Sequence, residues 1–202
     1  MNPEAPVHVI DDDEAVRDSL GLLLASAGHE VVLHESAADF LRVAAPGACV
    51  VSDVRMPEMD GLALQQELAQ RGIPVQLIFM TGHGDVPVAV RALKAGAMDF
   101  LEKPFAEEAL LAAVRGALEA GRAREAETRQ QDDIRRRLDS LTPREHEVLD
   151  GLVAGQANKS IAQDLGMSPR TVEVHRARVM EKMEAQSLSH LVRQVLVATG
   201  KA

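Results

Sequence analysis

At 202 residues the chain has room for one large domain or two small ones, and 46% apolar with 26% charged residues is a globular composition. A net charge of −9 argues against a plain nucleic-acid binder, but residues 1–121 carry 19 acids and 8 bases, residues 122–138 carry 4 and 6, and residues 139–202 carry 8 of each. No basic stretch followed by an apolar one opens the chain and no run approaches membrane-spanning length, so a cytoplasmic protein is expected, and a single cysteine, Cys49, excludes an intramolecular disulfide.

Five apolar runs, at 5–10, 30–34, 48–53, 75–80 and 97–102, read as strands. Between them, sets such as Val16, Leu20, Leu23 and Leu24, or Leu62, Leu64 and Leu68, keep helical spacing. This alternation predicts a five-stranded, doubly wound parallel sheet with helices on both faces, an α/β fold. Four runs end in polar residues of matched chemistry. The first enters Asp11-Asp12-Asp13, the third stops at Asp53, the fourth meets Thr81-Gly82-His83-Gly84, and the fifth meets Lys103-Pro104-Phe105. Ligands of open α/β sheets gather at the carboxyl ends of strands. One edge therefore collects carboxylates, a hydroxyl and an ammonium, which suits a hard divalent cation and a phosphoryl group.

Mg²⁺ wants oxygen ligands and usually takes a couple of carboxylates, waters and phosphate oxygens. Asp11, Asp12 and Asp53 supply such ligands, with Arg55 counted in the expected metal set. Asp53 is the expected nucleophile, since carboxylates form acyl phosphates. Lys103 would pair with one phosphoryl oxygen and the Thr81 hydroxyl would donate to another. Asp13 is expected to cap the first helix rather than bind metal. Arg55 and His83 flank the acceptor and are placed to tune access of water. The seven histidines lack metal-ligand spacing.

Phe105 to about Gly121 reads as the last helix of this domain, with Leu110, Leu111, Val114 and Leu118 on its buried face. Residues 122–138 form an expected solvated helical linker without a heptad seam. Residues 139–202 read as wholly helical. Leu141-Thr142-Pro143-Arg144-Glu145 carries a capping box with proline at the first helical position, and Gly155 ends that helix. Asn158 to Leu165 is a short helix stopped by Gly166, and Ser168-Pro169 starts a longer one running to about Met183. Short helix, tight turn and longer helix make a helix-turn-helix, whose second helix is expected in the DNA major groove. That helix buries Val172, Val179 and Met183. Its expected DNA contacts, with Lys159 from the short helix, are Arg170, Thr171, Glu173, Val174, Arg176, Arg178 and Lys182. Glu173 would accept from cytosine N4, Val174 would meet a thymine methyl, and the bases would meet phosphates or guanine.

Residues 5–120 resemble the receiver domain of two-component response regulators, matched at Asp11-Asp12, Asp53, Thr81 and Lys103-Pro104. That resemblance implies a flavodoxin-like fold, phosphorylation of Asp53 by a sensor histidine kinase, a need for Mg²⁺, and a cis Lys103–Pro104 bond. It also places the switch aromatic at Phe100, which turns inward when Thr81 moves toward the phosphoryl group. Residues 139–198 resemble the LuxR and NarL type of helix-turn-helix through Asn158-Lys159-Ser160-Ile161-Ala162 and Thr171-Val172-Glu173-Val174-His175. Many members of that family have Lys where Glu173 stands. Met80 to Pro87, Glu102 to Phe105 and Ser168 to Ala177 resemble the FixJ subgroup.

The combined expectation is a phosphorylation-activated transcriptional regulator that is not an enzyme. Its activated receivers would dimerise through Val90, Leu93 and Lys94 and place two readers on a two-fold promoter site, with RNA polymerase as a further partner. Two other readings stand beside it: a constitutive DNA binder with a silent receiver, and an Mg²⁺-dependent phosphatase that passes through aspartyl-phosphate.

Overall fold

Strand residues alternate between two apolar layers, and that alternation fixes how the sheet is covered. In a computed structural model that describes residues 5–82 and 86–199, β1 (Val7–Ile10), β2 (Val31–His34), β3 (Cys49–Asp53), β4 (Gln76–Thr81) and β5 (Asp99–Glu102) form one parallel sheet in the order β2-β1-β3-β4-β5. Val7, Val9, Cys49, Val51, Ile78 and Met80 point to a layer completed by α1 (Glu14–Ser26) and the first turns of α5 (Glu107–Asp139). Ile10, Val50, Leu77 and Phe79 point to the opposite layer, completed by α2 (Ala37–Leu41), α3 (Gly61–Gln70) and α4 (Val86–Lys94). The expected doubly wound α/β fold is thus present. Strand order reverses between β1 and β3, the switch point at which such sheets bind ligands.

Local chemistry starts the helices where expected. Asp13 caps α1, accepting from the N–H groups of Ala15 and Val16. A polar chain runs inside the second layer: His8 Nδ1 lies 2.9 Å from His34 Nε2, and His34 Nδ1 lies 3.3 Å from Asp39 Oδ2. Phe40 packs edge-on against both imidazoles. Burial, with the neighbouring charge of His34 second, pushes His8 down to about 4. Cys49 is an inert core thiol, pushed up to about 12 by burial.

The helix expected to stop at Gly121 does not stop. α5 continues without a break to Asp139, and the chain divides into two compact units at 125/126, inside that helix. Gly121 is a close-approach residue instead of a terminator, because a Cβ there would lie 3.0 Å from the Gly47 carbonyl oxygen. Nor is the whole of 122–138 solvated linker: Ile134 is 3% exposed, in the core of the C-terminal unit.

That unit adds α6 (Pro143–Val153), α7 (Asn158–Asp164), α8 (Pro169–Lys182) and α9 (Leu188–Thr199). Both halves of the Thr142/Glu145 capping box form, and Ser168 caps α8 by accepting from the Thr171 N–H. Gly155 at φ +75 and Gly166 at φ +63 supply the left-handed residues that end α6 and α7. α9 buries Leu191 against α6 and completes the core. No described helix is long and apolar enough to cross a membrane.

Candidate functional site

The carboxyl ends of β1, β3, β4 and the turn after β5 meet at Asp53. Its residue is 8% exposed, which demands partners for both oxygens. Lys103 donates to Oδ1 at 2.7 Å and the Arg55 N–H donates to Oδ2 at 2.6 Å. The same ammonium donates to Asp11 Oδ2 at 2.8 Å, while Asp11 Oδ1 accepts from the Asp13 N–H at 3.0 Å. Burial alone would lower the Lys103 pKa, but hydrogen bonds and charge from Asp11 and Asp53 outweigh it, so the ammonium is held charged. The Lys103–Pro104 bond is cis, as expected. Gly61 lets α3 start directly beneath the acceptor, since a Cβ there would lie 2.7 Å from both the Asp53 carbonyl oxygen and the Phe79 ring.

Thr81 closes the site from β4. Its backbone carbonyl accepts from the Lys103 N–H at 2.6 Å, yet its buried Oγ1 has no hydrogen-bond partner among the described residues. An orphaned buried hydroxyl costs roughly 1–3 kcal/mol. Here it leaves a donor available at the strand end beside the acceptor.

The expected three-carboxylate metal set is not assembled as such. Asp12 is exposed, Lys103 sits between Asp11 and Asp53, and no cluster of three acid, His or Cys side chains fit to hold a metal occurs among the described residues. Arg55 cannot ligate through its guanidinium, which has no acceptor, so only its main-chain carbonyl qualifies. Two carboxylates at one mouth, with excess negative charge over the single lysine, still fit a hydrated Mg²⁺ ion, which keeps most of its waters. His83 lies outside the described residues.

Phe100 is half-buried on β5 and packs against the α4 side of the sheet. Val90, Leu93 and Lys94 are exposed on α4, and Val86 and Met98, absent from the sequence expectation, extend the same apolar surface. The signal for Val86 was available: a helix whose outward positions are valine and leucine.

In the C-terminal unit, α8 buries Val172, Val179 and Met183 and turns Arg170, Thr171, Glu173, Val174 and Arg178 to solvent; Lys159 is exposed on α7. Two expected DNA contacts are engaged elsewhere. Lys182 donates to Glu145 Oε2 at 2.7 Å and to the Ser140 carbonyl at 3.0 Å, so its ammonium belongs to the α6–α8 junction and not to a DNA-facing surface. Arg176 donates to Asn158 Oδ1 at 3.2 Å, which ties α8 to α7 with one of its five donors. Glu145 is drawn down to about 2, first by the Lys182 hydrogen bond and then by the Thr142 N–H.

Comparison with known proteins agrees with both halves. The response regulator receiver domain family matches residues 7–115, and the family of bacterial regulatory proteins of the luxR type matches residues 139–195. The transcriptional regulatory protein FixJ of Azorhizobium caulinodans is 56% identical over 98% of this chain and 95% of its own length. Among solved structures, the response regulator StyR superposes with a TM-score of 0.86 at 43% identity, covering 95% of this chain and 98% of that one. Full-length FixJ from B. japonicum gives 0.59 at 47% identity, covering 98% and 99%. A buried aspartate at a strand end held by a lysine, followed by a capped helix-turn-helix and matched along nearly the whole chain, places this protein in the response regulator family, as a FixJ-like transcriptional regulator with a receiver and a LuxR-type DNA-binding domain.

Proposed function

We propose that Asp53 accepts a phosphoryl group from a sensor histidine kinase in the cytoplasm, and that the receiver then dimerises to load two readers onto a two-fold promoter site. One observation carries the reading: a single ammonium spans two buried acids while the neighbouring Thr81 hydroxyl stands unpaired. In the transfer, an Asp53 oxygen bonds to phosphorus as the phosphorus–nitrogen bond to the donor imidazole breaks. A carboxylate oxygen acting as nucleophile has no proton to lose, so the transfer needs no general base. Lys103 keeps one contact with Asp11 and turns the other to a phosphoryl oxygen, holding the group in line. Asp11, Asp12, Asp53 and the Arg55 carbonyl would hold Mg²⁺, which would neutralise charge on the incoming group.

Thr81 gains its missing acceptor only in the phosphorylated state, which gives the differential contact that a population shift requires. Movement of Thr81 opens room for Phe100 to turn inward, and the α4 surface with Val90, Leu93 and Lys94 becomes the receiver dimer face. Arg170, Thr171, Glu173, Val174 and Arg178, with Lys159, form the DNA-facing set, within reach of RNA polymerase at the promoter. No transferred phosphoryl group is released to a substrate in this scheme, so the protein is a switch and not an enzyme.

The test is sedimentation with Mg²⁺, with and without acetyl phosphate, beside Asp53→Asn. A monomer-to-dimer shift that needs both Mg²⁺ and Asp53 is expected. Phosphate on Asp53 without that shift would move the switch from dimerisation to release of the reader. No phosphate from any donor would favour the constitutive binder.

A further inference from the structure

The end of the recognition helix is held by residues that look like linker in the sequence. α8 closes in a Schellman arrangement: the Glu184 N–H donates to the Glu181 carbonyl at 2.9 Å and the Ala185 N–H to the Met180 carbonyl at 2.9 Å. Glu184 itself sits at φ +48, in the left-handed region where glycine is the usual occupant. Arg137, from the last turn of α5, meets this corner. Its Nη2 lies 2.8 Å from Glu184 Oε2 and its Nη1 donates to the Met183 carbonyl at 3.5 Å. That carbonyl is one of the orphan acceptors of a helix C-terminus, where a cation also meets the negative end of the helix dipole. The Ser140 carbonyl, just beyond α5, accepts from Lys182 of the same corner at 3.0 Å. Burial of Ile134, with Leu138 packed against the same core, keeps the last turns of α5 in place.

Glu184 is exposed, so this pair adds little to stability. Its effect is geometric. At its other end the Ser168 cap closes α8 only on its own backbone, and the Arg176–Asn158 contact lies near mid-helix, so the reading end follows the pitch set at the C-terminal corner. A helix of 14 residues is about 21 Å long, so a tilt of roughly 5° about one end displaces the other by about 2 Å. That displacement takes a side chain out of hydrogen-bond range of a base edge.

We propose that Arg137 is a positioning residue for DNA reading: by gripping Met183 and Glu184 it sets the pitch at which Arg170, Thr171 and Val174 meet the groove. The proposal rests on the DNA-binding reading of α8. It also places the start of the working DNA-binding module inside α5, upstream of the helix-turn-helix itself.

The experiment uses the full chain with Mg²⁺ and acetyl phosphate in every arm. Wild-type protein first selects a preferred duplex from a random-sequence pool. Affinities are then measured for that duplex and for a scrambled duplex of equal length and composition, with Arg137→Ala, Arg137→Lys and Glu184→Gly alongside. Arg137→Ala should lose about ten-fold on the selected duplex, the size of one lost base contact, and hold its affinity for the scrambled one. Arg137→Lys should restore part of the loss, because it keeps the charge and one donor. Equal losses on both duplexes, or no change in their ratio, would overturn the proposal. If Arg137→Ala does not fold, Glu184→Gly decides, since glycine is at ease at φ +48; there a lowered ratio with unchanged thermal stability supports the proposal and an unchanged ratio overturns it. A wild-type chain that prefers no duplex would defeat the DNA-reading assignment itself, before any variant is compared.

Discussion

Lys103 and Lys182 make near-identical contacts in two different regions. Each puts its ammonium 2.7 Å from an oxygen of an almost fully buried carboxylate, Asp53 in one case and Glu145 in the other. The difference lies in what surrounds the pair. Around Lys182 the books close: Glu145 also accepts from the Thr142 N–H at 2.9 Å, and Lys182 also reaches the Ser140 carbonyl at 3.0 Å. Around Lys103 they do not. One ammonium faces two carboxylates, and the Thr81 hydroxyl beside it is buried with no partner among the described residues. A satisfied ion pair fixes geometry, whereas an unbalanced one leaves charge and donors for an incoming group.

The largest effect expected from this contrast is at the acceptor. Asp53→Asn should abolish the phosphoryl adduct seen by intact mass and the Mg²⁺-dependent dimer, while leaving the fold at least as stable. Lys103 then faces one carboxylate instead of two, so the resting site loses its charge imbalance. A variant that still dimerises in a phosphodonor-dependent way would show that the imbalance at this edge is not the switch.

Removing each lysine sharpens the same point. Lys182→Met strands a buried Glu145 carboxylate and should cost about 2 kcal/mol, below the usual 3–5 for a buried pair because Lys182 is one-third exposed. Urea unfolding followed by circular dichroism measures it, and Mg²⁺ should not restore it. Lys103→Met should also destabilise, by like-charge repulsion between Asp11 and Asp53, but here added Mg²⁺ should recover the loss. Equal responses of the two variants to Mg²⁺ would erase the distinction drawn between the two regions.

The two regions also differ in how far they were legible. Strand ends are local signals: an apolar run that stops at Asp53 or Thr81 announces itself, and so do caps such as Asp13, Thr142 and Ser168, whose partners lie within three residues. The partner of Lys182 lies 37 residues away and that of Arg137 lies 46 away. Nothing in the periodicity of α8 separates a lysine that faces DNA from one that turns back to α6. Gly121 misled for a related reason. A glycine after an apolar stretch resembles a helix stop, but its cause is the Gly47 carbonyl, which only the folded chain brings near. Even at the acceptor, residue types were readable and the orphan state of Thr81 was not, because satisfaction depends on every neighbour at once.

Thr81→Val tests that orphan state with a smaller effect and opposite signs in two readouts. Valine keeps the shape and removes a buried, unpaired hydroxyl, so stability should hold or rise by up to about 1 kcal/mol. The phosphodonor-driven dimer should nevertheless weaken sharply, since the buried hydroxyl that would gain an acceptor on phosphorylation is gone. A drop in stability would mean that Thr81 is already satisfied at rest.

The smallest effect at neutral pH is the order in which acid reaches the two regions. His8, whose folded value of about 4 lies below the ordinary 6.5, favours the neutral form in the native state. Its contribution is complete above 6.5 and is lost as pH falls toward 4. Glu145, held at about 2 against an ordinary 4.5, favours the charged form, so its contribution is complete above 4.5 and is lost only as pH falls toward 2. The receiver should therefore soften first and the DNA-binding unit later. The chain has no Trp or Tyr to report on this, so hydrogen exchange by mass spectrometry, corrected for intrinsic rates, is the suitable measurement. Peptides spanning β1 and β2 should lose protection between pH 6.5 and 4, while those spanning α6 and α8 hold theirs across that range. Loss in α6 and α8 at the higher pH would mean that the Lys182–Glu145 pair is not the closed unit that sets it apart from the acceptor site.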